Sequence, residues 1–352
     1  LNIAPINTWI NTDYKSFIIS GPCSAESYDQ LYATSKELKS IGIEIIRAGV
    51  WKPRTRPGTF EGNGEKALKW IKKIKNELDV KFAVEVANPN HVKLCLNYGI
   101  DILWIGARTT VNPFSVQEIA ESLENIDIPI LVKNPINPDL SLWIGALERL
   151  NKVGLKKIGA IHRGFSTPDK TKYRYAPMWK IAIDLKSSFP NLPIVCDPSH
   201  ICGNREMIHD ISQKALDLGY EGLIIESHID PENAWSDAKQ QITPNSLKEI
   251  ISNLKKKKKL EKNENIDFYG MQLKNMSDEE LKKMGIENGI KVLNHRNNTL
   301  YRMGVTPGYI LIEINGEKIL NTADLSTFDN NIKINQMTFM SPDGEKERLI
   351  FE

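Results

Sequence analysis

No apolar run in this sequence reaches the ~18 residues that a membrane-spanning helix needs, and the N-terminus lacks the basic-then-apolar layout of a secretory signal. Cysteine is scarce. Its four copies, Cys23, Cys95, Cys196 and Cys202, form no CxxC pair, so no redox or disulfide framework is encoded, and a reduced, cytoplasmic protein is expected. Charge of one sign is also missing: Lys and Arg number 46 against 44 Asp and Glu, a net charge of +2. That balance gives no reason to expect a nucleic-acid partner, whereas a small anionic substrate needs only a local basic cluster. No GxGxxG follows the first apolar run, which removes the usual signature of a dinucleotide-binding open sheet.

What is present is alternation. Short apolar runs, "FIIS", "IEIIRA", "FAVEVA", "ILWIG", "IPILVK", "KKIGAI", "LPIVCD" and "GLIIES", are separated by amphipathic stretches such as "GEKALKWIKKIKNEL" and "REMIHDISQKALDLG". Runs this short and this apolar suit strands covered on both faces. Strand then helix, repeated eight times, predicts an α/β fold, a parallel (β/α)8 TIM barrel over residues 1–254. A doubly wound sheet is the rival. The alternation stops near Leu254, and residues 255–265, "KKKKKLEKNEN", read as a solvated linker. Residues 266–352 carry short strands punctuated by Pro-Gly, Asn-Gly and Asp-Gly, and predict a small, mainly β second domain.

Barrel enzymes assemble their sites at the C-terminal ends of the strands. One group there is cationic: Arg47, Lys52, Arg54, Arg108, Lys133 and Arg163. Buried cations are costly without anions, and these outnumber the carboxylates nearby in sequence, so substrate phosphate or carboxylate is the expected counter-charge. A second group, Cys23, His200, Glu226 and Asp237, offers a thiolate, an imidazole and two carboxylates for a divalent metal. Each residue also has a plainer reading. A lone strand-end arginine is more often a surface ion pair, and a lone cysteine more often a small core residue. Cys95 and Cys196 are expected to be structural, His91 and His209 to lie on the surface, and His228 to be either a support to the metal site or incidental. Glu85 is either a paired carboxylate or a group that positions water.

Residues from about Pro5 to Lys255 closely resemble 3-deoxy-D-arabino-heptulosonate-7-phosphate (DAHP) synthase of the short, core-barrel bacterial type. The motifs that carry the likeness occur in order: "GPCSAES", "RAGVWKPRTRPGTFEG", "WIGARTT", "VKNP", "GAIHRGFS", "CDPSHICGNRE", "IIESH" and "SDAKQQ". The resemblance implies condensation of phosphoenolpyruvate with erythrose 4-phosphate and water, the entry to the shikimate pathway and so to aromatic amino acids. It implies Cys23, His200, Glu226 and Asp237 as ligands of a divalent ion (Mn, Fe, Co or Zn). Arg47, Lys52, Arg108, Lys133 and Arg163 would contact phosphoenolpyruvate, and Lys52, Pro53, Arg54 and Thr55 would receive the sugar phosphate. Lys52 would donate a proton near the forming alkoxide, with Glu85 and His200 beside the attacking water. The related octulosonate 8-phosphate synthase, which uses arabinose 5-phosphate, carries an Asn-bearing loop where this chain reads "KPRT". A homodimer or homotetramer is also implied. Residues 266–352 do not resemble the helical chorismate mutase domain that often accompanies this barrel. They resemble a PDZ domain of trypsin-like stress proteases, in which Tyr269, Gly270 and Met271 would bind a peptide C-terminus. A non-catalytic scaffold working through that domain is the contrasting reading.

Overall fold

The structure, a computed structural model, describes residues 1–9, 17–52, 58–255, 265–286, 288–295, 298–328 and 333–351. It divides into two compact units, Leu1–Lys256 and Lys257–Glu352.

The first unit is a closed barrel of eight parallel strands in sequential order. They are β1 (Phe17–Gly21), β2 (Ile45–Ala48), β3 (Lys81–Val86), β4 (Ile102–Ile105), β5 (Ile130–Lys133), β6 (Ile158–His162), β7 (Ile194–Cys196) and β8 (Gly222–Glu226). Side chains alternate across a strand, and the two faces have different jobs. Ile45, Ala83, Ile102, Leu131, Ile161, Val195 and Ile224 share a packed layer inside the barrel. Ile46, Phe82, Val84, Leu103, Ile158 and Leu223 face outward into the larger core under the helices. Two residues beyond the inner layer, on the same face, come Arg47, Glu85, Trp104, Lys133, Arg163, Asp197 and Glu226. The pleat therefore sets a polar layer directly above an apolar one.

The covering helices are α1 (Tyr28–Ser40), α2 (Glu65–Leu78), α3 (Pro89–Asn97), α4 (Ala107–Thr110), α5 (Pro113–Ser122), α6 (Leu140–Lys152), α7 (Trp179–Ser188), α8 (Pro198–Cys202), α9 (Ile208–Asp217) and α10 (Pro244–Asn253). Side-chain caps start several of them. Ser27, Asn88, Asn112, Asp139, Asp197 and Thr243 each accept from a backbone N–H of the first turn. In α2, Ala67, Leu68, Ile71 and Ile74 fall on one buried stripe. Cys95 and Cys196 are core residues. His91, expected on the surface, instead stacks on Trp51 with centroids 3.8 Å apart.

The second unit is an antiparallel sheet in the order β15-β14-β12-β11-β10-β9, with β13 paired to β12. Its strands are β9 (Ile266–Phe268), β10 (Met271–Asn275), β11 (Ile290–His295), β12 (Ile310–Ile314), β13 (Glu317–Lys318), β14 (Gln336–Met340) and β15 (Lys346–Ile350), with short helices α11 (Asp278–Met284) and α12 (Asn298–Arg302). Met271, Leu273, Val292, Leu311, Met337 and Phe339 form its separate core. Tyr269 and Gly270, at φ 50° and 73°, are the turn of a hairpin in which Met271 pairs with Phe268. Strand β10 is bonded to β9 on one side and β11 on the other. Met271 is thus paired on both sides, and Tyr269 and Gly270 lie in the turn that precedes it.

His162 closes β6 inside this packing. Tyr220 Oη donates to its Nδ1 at 2.9 Å, and its Nε2–H donates to the Pro177 carbonyl at 2.6 Å. Burial lowers its pKa from 6.5 to about 4. Below pH 6.5 the unfolded chain takes up a proton that the native ring refuses. The stabilisation is thus complete above pH 6.5 and is lost as pH falls to 4, a change of about 3 kcal/mol. Urea unfolding should show about 2 kcal/mol of this loss between pH 7 and pH 5, and His162→Gln should flatten the slope.

Candidate active site

The polar layer opens into a cavity of about 380 Å³ lined by Arg47, Lys52, Glu85, Trp104, Arg108, Lys133, Arg163 and His200, among others. The indole of Trp104 is its centre piece. Arg47 Cζ lies 5.3 Å from the ring centroid and Lys133 Nζ 5.6 Å, so one π surface faces two cations. Trp104 Nε1 donates to Glu85 Oε2 at 2.8 Å, which makes Glu85 a paired carboxylate at the cavity wall.

The cations are less alone than their spacing implies. Arg47 Nη2 is 3.0 Å from Glu226 Oε1, and Lys133 Nζ is 3.0 Å from Asp197 Oδ2, all in buried side chains. Burial opposes the charge on Arg47, but Glu226 and then Asp197 more than offset it and raise its pKa. Burial likewise pushes Asp197 and Glu226 upward. His200 and Lys133 pull Asp197 well down, and Arg47 and His200 pull Glu226 down. Two of the expected unpaired cations therefore have protein partners. Arg108 does not: it is exposed on α4, just past β4, with no ion pair among the described residues. Arg163 is buried with its Cζ 3.4 Å from the Tyr175 ring centroid. Burial lowers the pKa of Arg163, and the charge of Arg163 holds the Tyr175 phenol below its ordinary value despite burial. Lys52 donates to Cys23 O at 2.8 Å and to Cys23 Sγ at 2.9 Å. Pro53, Arg54 and Thr55 lie outside the described residues.

Beside these cations, Cys23, Glu226 and Asp237 bring donor atoms to within 4.8 Å of one another. His200 stands next to them, its Nε2 3.9 Å from Glu226 Oε1. Asp197 accepts from His200 Nδ1 at 2.8 Å, which leaves the Nε2 lone pair facing this group. Burial keeps the His200 pKa below its ordinary value. Burial, and then Glu226, push the Cys23 thiol up to about 12, so a cation bound here would have to displace its proton. Glu226 Oε1 is paired with Arg47 at 3.0 Å but makes no aligned hydrogen bond, so it keeps lone-pair capacity for a bound cation. Thiolate, imidazole and carboxylate together fit a divalent transition metal.

The sequence pattern of the DAHP synthetase I family matches residues 4–263. A phospho-2-dehydro-3-deoxyheptonate aldolase of Thermotoga maritima is 32% identical over 239 residues, 68% of this chain and 69% of that one. The chain belongs to the DAHP synthetase I family. Its activity is accordingly DAHP synthesis, an aldol-type transfer. A crystal structure of the aldolase (DAHP synthase) from the same organism superposes with a TM-score of 0.62 at 30% identity, covering 67% of each chain. A 2-dehydro-3-deoxyphosphooctonate aldolase of Hydrogenovibrio crunogenus is more distant, 24% identical over 70% of this chain and 92% of its own.

Sequence reasoning missed several residues of the site. Arg174 Nη1 donates to Asp237 Oδ1 at 2.9 Å and to Gln240 Oε1 at 2.6 Å. Gln240 Nε2 in turn donates to Glu226 Oε2 at 2.6 Å. Arg174 and Tyr175 lie in the long segment after β6, where no strand end flags them, although Gln240 falls in the quoted "SDAKQQ". His228 sits apart from the donor group, with Nε2 3.3 Å from Glu26 Oε2. Glu26 also accepts from Trp235 N at 2.8 Å, so His228 and Glu26 anchor the Trp235 loop. Gly106 has a steric role. A Cβ there would overlap Glu85 Oε1 and lie 2.6 Å from its Cδ, while its φ of −72° is open to any residue. Gly106→Ala should therefore dislodge Glu85 from Trp104 and lower kcat on the order of 10²-fold. The melting curve should stay close to wild type; an unchanged kcat would show that Glu85 need not stand where it does.

Proposed function

We propose that this cavity condenses phosphoenolpyruvate with erythrose 4-phosphate through the residues its geometry gathers. The observation that carries the assignment is one cavity wall holding Arg47, Lys52, Arg108, Lys133 and Arg163 next to His200 and Asp237. These five cations bind phosphoenolpyruvate; Lys52, Pro53, Arg54 and Thr55 receive the sugar phosphate. Cys23, His200, Glu226 and Asp237 hold a divalent ion of the Mn, Fe, Co or Zn kind. When bound, that ion supplies Lewis acidity at the aldehyde oxygen.

Carbon C3 of phosphoenolpyruvate attacks the aldehyde carbon and forms the new C–C bond, and Lys52 delivers a proton to the aldehyde oxygen. Water adds to C2, and inorganic phosphate leaves by C–O cleavage. Glu85, held by Trp104, and His200, neutral and held by Asp197, are placed to orient that water. Fixing two anions against fixed cations is mainly a matter of orientation and electrostatics. The family likeness supports a cytoplasmic homodimer or homotetramer. Residues 266–352 are read as a PDZ-like unit on their sequence likeness and antiparallel sheet. A peptide would add to it at β9 or β15, the two edges, rather than beside β10.

Chelation should abolish phosphate release, and manganese should restore it. Erythrose 4-phosphate should be turned over in preference to arabinose 5-phosphate; the reverse preference would sink the assignment. Arg108→Ala should raise the KM for phosphoenolpyruvate about tenfold, as losing one charge-assisted contact does, and the KM for the sugar phosphate much less. Equal effects on both would make Arg108 structural.

A further inference from the structure

The segment between β6 and α7 contributes two neighbouring side chains that touch opposite halves of the site. Arg174 reaches the candidate metal carboxylates. Its Nη1 binds Asp237 Oδ1 and Gln240 Oε1, and Gln240 passes the contact on to Glu226. Asp237 keeps its other oxygen, Oδ2, 3.3 Å from Cys23 Sγ. Tyr175 supports the anion side, its ring lying 3.4 Å beneath the Arg163 guanidinium. The backbone between the two is pinned. Arg174 N and Tyr175 N both donate to Ile201 O, at 3.0 and 3.2 Å, in the helix that carries His200. Phe165 N donates to Ala176 O at 2.8 Å, tying the segment to the stretch that follows Arg163. The stem of Arg174 crosses Gly203 so closely that a Cβ there would lie 2.5 Å from Arg174 Cβ.

We propose that Arg174 and Tyr175 are a pair of positioning residues, Arg174 setting the orientation of Asp237 and Glu226 for the cation and Tyr175 setting that of Arg163 for phosphoenolpyruvate. The proposal rests on the reading of the cavity given above. Outer contacts of this kind orient ligands, and their loss typically weakens metal binding about 10–100-fold. A cation stacked on an aromatic ring loses both direction and attraction when the ring goes. The two residues should therefore fail separately, although they are adjacent in the chain.

The test uses the full chain, with manganese binding followed by calorimetry without substrates and the KM for phosphoenolpyruvate measured at saturating manganese. Folding is not at stake, because the Arg174 side chain is 42% exposed and Tyr175 is only half-buried. Arg174→Met should weaken manganese binding by about 10–100-fold and leave the KM nearly unchanged. Arg174→Lys, which keeps a multi-donor nitrogen, should recover part of that affinity. Tyr175→Leu should raise the KM about tenfold with manganese affinity unchanged, and Tyr175→Phe, which keeps the ring but loses the hydroxyl that also interacts with Arg163, should fall between wild type and Tyr175→Leu. Wild-type manganese affinity in Arg174→Met, or a wild-type KM in Tyr175→Leu, would overturn the proposal. A wild-type chain that binds no manganese would instead overturn the metal reading beneath it, and the two failures cannot be confused.

Discussion

The site depends on one carboxylate. Asp197 is fully buried and meets three demands at once. It caps α8 by accepting from His200 N at 3.1 Å, it fixes the His200 ring through Nδ1, and it neutralises Lys133 at 3.0 Å. An isolated charge at such a depth would be untenable. Here each interaction makes the others affordable, because the same negative charge is shared by a helix start, an imidazole and an ammonium. The consequence for chemistry is geometric. The cationic wall of the cavity, through Lys133, and the candidate ligand group, through His200, are referred to a single rigid point just past the end of β7.

A second pair, Arg47 and Glu226, repeats the logic across Trp104. Buried ion pairs contribute little net stability, because desolvation consumes the Coulombic gain. The barrel is therefore held by the apolar layer beneath, where Ile45, Ala83, Leu131, Ile161, Val195 and Ile224 interlock. The polar layer is an addition that this packing tolerates. Preorganisation follows from the same arrangement. Groups that cannot relax need no reorganisation when charge moves in the reaction.

Much of this was legible in the sequence because the pleat has a period of two. A run such as "IEIIRA" shows both the apolar residue that packs inside, Ile45, and the charged residue on the same face above it, Arg47. Reading the strands was thus nearly the same as reading the site. What the sequence could not show was who neutralises whom. Lys133 and Asp197 lie on β5 and just past β7, strands that do not neighbour each other in the barrel. Local spacing therefore counted Lys133 as unpaired. Arg174 and Tyr175 escaped for a different reason. They lie outside any strand end, and only the fold of their segment against Ile201 brings them in.

The Tyr269–Gly270 turn shows the same boundary in the second unit. The residues "FYGMQL" suit a carboxylate-binding loop and a hairpin equally well, since either asks for backbone at positive φ. What decides between them is whether the preceding residues pair with the following ones, and the turn residues themselves suit both outcomes. Here Ile266, Asp267 and Phe268 pair with Leu273, Gln272 and Met271. The chain thereby fills with its own strand the edge that an incoming peptide would need. Edge strands left open invite association, so the hairpin moves that exposure from β10 to β9. The edge on this side of the sheet then carries Ile266, Asp267 and Phe268, side chains that differ in character from those of the turn.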